Sequence, residues 1–83
     1  MKLDEISPLP FSGNLNIKIS APATGKTKIR LTSTVMPSFV KEYTLNNSET
    51  ELNIDTSQYQ KGIYLVSLIE NNVVVDTKRI INQ

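Results

Sequence analysis

Strict alternation of apolar and polar residues constrains this chain more than any other feature. Leu15, Ile17 and Ile19 alternate with Asn14, Asn16, Lys18 and Ser20, and Thr27, Ile29 and Leu31 alternate with Lys26, Lys28 and Arg30. A period of two puts every second side chain on one face, so each run predicts a half-buried strand, the second with a basic outer face. Phe39 to Leu45 predicts a further strand of open phase, and Leu52 and Ile54 mark another. Residues 1–7 are either a linker remnant or a short first strand near Leu3 to Ile6, interrupted by Pro8 and Pro10. No segment carries a helical stripe, and Pro37 argues against a helix across 33–41. About seven short strands separated by turn residues predict an all-β fold, a small antiparallel immunoglobulin-like β-sandwich. The sandwich is expected to form one domain over residues 1–83.

The last 22 residues hold the clearest supersecondary signal. Two apolar runs, Gly62 to Glu70 and Val73 to Ile81, flank Asn71-Asn72. Asn tolerates positive φ, so this dipeptide predicts a hairpin with a type I′ turn. Counted outwards from the turn, Glu70 faces Val73, Leu68 faces Val75, Val66 faces Thr77 and Tyr64 faces Arg79. That register assigns Tyr64, Val66, Leu68 and Val75 to the core. It leaves Ile63, Leu65, Ile69, Val74 and Ile80 facing outwards. Either a loop or the N-terminal segment covers this row, or it is a docking patch.

Composition removes whole classes of function. At 83 residues there is room for one modest core, burying roughly 60–65% of the unfolded surface. Nine basic and eight acidic side chains give a net charge of +1, scattered without a nucleic-acid footprint or a polybasic membrane patch. Without Cys there are no disulfides and no thiolate metal sites; without His there is no imidazole base and no His-ligated metal. Without Trp the best platform for sugars or single-stranded bases is missing. No apolar run approaches a membrane span, and the N-terminus carries no signal-peptide core. Met1-Lys-Leu-Asp-Glu5 fits a natural start or a start placed before an excised domain equally well.

Several local patterns carry two readings. Ser20-Ala-Pro-Ala-Thr-Gly-Lys-Thr27 resembles the end of a phosphate loop, but Ser20 stands where the loop needs glycine and a strand follows where it needs a helix. Asn46-Asn47-Ser48 is a glycosylation sequon or a turn, and the turn reading needs no secretory context. Asp55-Thr56-Ser57 reads as an Asx turn leaving a strand. Glu51 and Asp55 are the one candidate acid/base pair for a small hydrolase, though alternation places both on the solvated face. Tyr59-Gln-Lys-Gly62-Ile-Tyr64 resembles a tyrosine corner, in which glycine permits the bend and the hydroxyl bonds to upstream backbone. Lys78-Arg79-Ile80-Ile81 is either a pair of solvated cations that protect an edge strand or a recognition tail.

Together these residues resemble the type A C-terminal sorting domain of the type IX (Por) secretion system of Bacteroidota. The resemblance rests on Pro8-Leu-Pro-Phe11 with Asn14-Leu-Asn-Ile17, Lys28-Ile-Arg-Leu31, Leu52-Asn-Ile-Asp55, Gly62-Ile-Tyr64 and the closing Lys78-Arg-Ile-Ile81. Leu9 stands where the family has Asn, and Ser33-Thr-Val-Met-Pro-Ser38 replaces a Ser-Gly-Lys-like turn. The resemblance implies a secretion signal without catalytic residues, metal or cofactor. It implies an upstream cargo domain, an outer-membrane translocon and a sortase-like peptidase as partners, with no nucleic acid or small-molecule substrate. Such a domain transits the periplasm and ends at the cell surface or is secreted. Carried over from the family, Lys78, Arg79, Ile80 and Ile81 would carry translocon recognition, and Gly62 and Tyr64 the fold; the possible docking patch Ile63, Leu65, Ile69 and Val74 and the corner residue Tyr59 come from the residue patterns above. Cleavage would fall upstream of the sandwich, before Ile6 or ahead of Met1. The alternative is a passive immunoglobulin-like spacer or adhesion module. The exposed last strand also allows a homodimer through edge strands.

Overall fold

Each alternating run becomes a strand in the computed structural model, which describes all 83 residues. The order is β1 (Leu3–Ser7), β2 (Asn14–Ile19), β3 (Thr27–Ser33), β4 (Val40–Thr44), β5 (Glu51–Asp55), β6 (Gly62–Glu70) and β7 (Val73–Asn82). They form two antiparallel sheets, one of three strands in the order β1-β2-β5 and one of four in the order β4-β3-β6-β7. The β-sandwich expected from the periodicity is therefore present, and residues 3–7 are its first strand. Leu3 and Ile6 of that strand are buried with Leu15, Ile17, Ile29, Leu31, Ile54, Val66 and Leu68 in one core between the sheets.

Turn chemistry follows the residues named for it. Asn71 and Asn72 have φ of 52° and 65°, the positive pair that a type I′ turn requires. The Ser57 N–H donates to Asp55 Oδ1 at 3.0 Å, closing an Asx turn. The peptide bonds before Pro8 and Pro10 are cis. Lys26 and Thr27 enter β3 from a bend, so no helix receives the phosphate-loop-like segment.

The hairpin register departs from the even count. Glu70 pairs with Val73 and Ile69 with Val74, but then Leu68 pairs with Asp76, leaving Val75 unopposed in a β-bulge. From there to the chain end every partner moves by one: Val66 faces Lys78, Leu65 faces Arg79, Tyr64 faces Ile80 and Ile63 faces Ile81. A slip of one residue reverses the face of each side chain. Val75 is therefore exposed rather than in the core, and Ile80 is 2% exposed rather than outward-facing. The displaced Asp76 carboxylate accepts the Leu3 N–H at 2.8 Å, linking β7 to β1 across the edge of the sandwich.

Candidate functional site

The end of β7 is pinned on both sides. On one side it pairs with β6 as far as Gly62–Asn82. On the other, the Phe11 N–H donates to the Ile81 carbonyl and the Gln83 N–H to the Phe11 carbonyl, each at 3.0 Å, forming a short parallel bridge. Asn82 is 5% exposed, and its side-chain amide donates to the Tyr59 carbonyl at 3.2 Å and the Gln60 carbonyl at 2.8 Å. A buried amide needs such partners, because leaving them unmade costs more than the bonds return.

Gln60 is also the acceptor of the tyrosine corner. The Tyr64 hydroxyl donates to its carbonyl at 2.6 Å, the upstream bond expected from Tyr59-Gln-Lys-Gly62-Ile-Tyr64. Gly62 has φ of 140°, a conformation that disfavours any residue with a Cβ. Around this corner the rings of Phe11, Phe39, Tyr59 and Tyr64 meet edge-on or tilted, with centroids 5.1–5.9 Å apart. Edge-on rings set the positive rim of one against the negative face of another. Tyr43, the fifth aromatic residue, joins through its hydroxyl, 2.7 Å from that of Tyr59. Burial first, then this hydrogen bond, pushes the Tyr59 hydroxyl well above the usual phenol range, and burial raises Tyr64 as well.

Of the four tail residues, Lys78, Arg79 and Ile81 are exposed, while Ile80 is buried against the core. Arg79 shares the outer face with half-buried Leu65, and Ile81 shares it with half-buried Ile63. Lys78 lies opposite Val66, on the other side of the strand, and stays exposed at the sheet edge. The expected outward row is thus altered. Ile63, Leu65 and Val74 keep their outward face, Ile69 is only 3% exposed and offers no surface, and Ile81 takes the place given to Ile80.

Two surface notches flank the hairpin. One, at the turn end, is lined by Gly25, Lys26, Lys28, Asn71 and Asn72. The other, about 280 Å³, lies at the pinned end and is lined by Leu9, Pro10, Arg79, Ile80 and Ile81. Glu51 and Asp55 line neither. Both are exposed on β5, where the Asn16 amide donates to Glu51 and the Ser57 backbone N–H holds Asp55 below the usual carboxylate range.

Phe11, Gln60 and Asn82 are the residues that sequence reasoning passed over. Asn82 carried no usable signal, since the even count from the turn puts it on the outward face with Ile80, and only the bulge turns both inward. Phe11 carried none, because a one-residue bridge across the length of the chain leaves no local pattern.

A search among curated proteins returned no match. The family model for a secretion system C-terminal sorting domain matches residues 5–83, from within β1 to the last residue and across both sheets. The chain therefore belongs to the secretion system C-terminal sorting domain family and is a C-terminal sorting signal of type IX secretion.

Proposed function

We propose that the type IX translocon reads this signal at the end of β7, contacting Lys78, Arg79 and Ile81, with Ile63 and Leu65 as an apolar margin. Buried Ile80 and Asn82 anchor the strand that carries those side chains. The observation that carries this reading is the pinning of β7 between β6 and Phe11, which presents exposed cations and Ile81 on a rigid strand rather than on a loose tail. A backbone already held in place loses little conformational entropy on binding.

The chain then acts as a non-catalytic label. It passes through the periplasm attached to a cargo, and a sortase-like peptidase cuts ahead of it so that the cargo is attached to the cell surface or released. Leu3 is buried in the core, so a cut that frees an intact sandwich lies before Leu3 rather than merely before Ile6. Pairing of two copies along β7 has little edge to use. Asp76 holds Leu3 at one end and Phe11 covers Ile81 at the other, leaving only Thr77 to Ile80 open, room for one residue's pair of bonds but short of a two-copy ladder.

The test is export of a reporter fused ahead of residues 1–83 in type IX-competent cells. Removing Lys78 to Gln83 does not isolate recognition, because it also removes buried Ile80 and Asn82. The double variant Lys78→Glu, Arg79→Glu keeps the core and should strand the reporter in the periplasm. Unchanged export of that variant contradicts the reading. Export that persists without the domain returns the chain to the role of a passive spacer.

A further inference from the structure

The notch at the pinned end joins two segments that lie at opposite ends of the sequence. Leu9 and Pro10 form one wall, and Arg79 and Ile81 form the other, over a floor of buried Ile80. The two Phe11 backbone hydrogen bonds lock the walls to each other. Leu9 is 54% exposed and Ile81 48%, so neither is spent on the core. Arg79 is the only charged residue in the lining, and neither ion pair of the protein, Lys18–Glu5 or Arg30–Glu42, involves it.

The backbone beside the notch is also open. Alternate residues of a strand direct their N–H and C=O to the same side, and the Ile81 carbonyl points away from β6 to reach Phe11. Arg79, two residues earlier, therefore turns its N–H and C=O the same way, along an edge with no neighbouring strand. An extended peptide entering there meets a free hydrogen-bonding pair, an apolar notch and an unpaired guanidinium, the elements of strand addition with side-chain selection.

We propose that this notch is a composite docking site. Leu9 and Pro10 from the opening segment and Arg79 and Ile81 from the closing strand together receive an extended segment of the translocon that carries an apolar side chain beside a carboxylate. The proposal rests on the reading of β7 as the recognised strand and adds to it the opening wall and the chemistry of the occupant. A carboxylate matches the fork of Arg79, and the apolar lining excludes water from that pair, where a charged contact discriminates most strongly.

The experiment compares reporter export for the wild-type fusion and the variants Leu9→Asp, Leu9→Ser, Arg79→Glu, Arg79→Lys and Lys28→Glu, with thermal unfolding of each purified chain. Leu9→Asp and Arg79→Glu should each cut export by about tenfold or more at an unchanged melting temperature, the size expected for loss of an interfacial contact. Arg79→Lys, which keeps the charge but not the fork, should lose part of it and less than Arg79→Glu, and Lys28→Glu, an equal charge change outside this notch, should leave it intact. Leu9→Ser gives the same reading should Leu9→Asp lower the melting temperature. Loss at Arg79 with none at Leu9 overturns the composite site and leaves tail recognition alone. Equal loss with Lys28→Glu overturns it in favour of net charge. A wild-type dimer in sedimentation that Leu9→Asp dissolves gives the notch to a second copy and overturns the proposal. Failure of the wild-type fusion to be exported removes the sorting reading and the proposal with it.

Discussion

Ile80 and Ile81 are neighbours with opposite fates, and replacing each by Ala tests the bulge that separates them. Ile80 is 2% exposed beneath Tyr64, whereas Ile81 is 48% exposed. Ile→Ala removes three carbon atoms, about 2.4 kcal/mol at roughly 0.8 kcal/mol per buried methylene, and the unfilled cavity adds roughly 1 kcal/mol. Ile80→Ala should therefore cost about 3 kcal/mol. A domain of 83 residues has roughly 4–12 kcal/mol in all, so the variant stays folded but weakened. Its melting temperature should fall by about 12–24 °C and its urea midpoint by about 2 M. Ile81→Ala should stay within about 0.5 kcal/mol of the wild type. Urea unfolding followed by far-UV circular dichroism suits a chain without Trp. In a register without the bulge the order reverses, so a larger loss for Ile81→Ala than for Ile80→Ala refutes the placement of Val75.

Other variants test the corner and the polar contacts. Gly62→Ala should cost about 1–3 kcal/mol through backbone strain alone, since the nearest atom to an added Cβ is Val35 Cγ2 at 3.8 Å; an unchanged urea midpoint contradicts the positive φ. Thr56 Oγ1 is buried without a partner, so Thr56→Val should leave stability equal or raise it by up to about 1 kcal/mol, and a loss beyond that reveals a hydrogen bond to this hydroxyl. Hydrogen bonds from the Thr24 and then the Thr27 hydroxyl hold Glu70 below its ordinary 4.5. A depressed folded value means the stabilisation is complete above the ordinary value of 4.5 and is lost as pH falls through the folded one. The urea midpoint should thus drop between pH 6 and pH 3, and less steeply in Glu70→Gln; an equal slope removes Glu70 from the effect.

Most strands and turns were legible because their cause is local. The alternations around Ile17 and Ile29 each have one phase that buries apolar side chains, and Asn71-Asn72 has one favoured turn. The tyrosine corner was legible for the same reason, since Gln60 and Tyr64 lie four residues apart. Val73-Val74-Val75 is different. Three apolar residues in a row give no phase, so an even count from the turn carries the hairpin past the bulge and misplaces everything from Val75 to Ile80. The composite notch was hidden further still. Its walls are about seventy residues apart in sequence, and only a closed sandwich brings Leu9 against Arg79 and Ile81.

The proposed recognition lies at the pinned end of β7, where Lys78 is exposed at the sheet edge and Arg79 on the outer face. Export of a fused reporter measures it most directly, comparing the wild-type domain with Lys78→Glu, Arg79→Glu in type IX-competent cells and in cells lacking the translocon. The wild-type fusion should reach the medium or cell surface only where the translocon is present, while the folded double variant remains in the periplasm. Equal export of the two fusions, or export without the translocon, contradicts it.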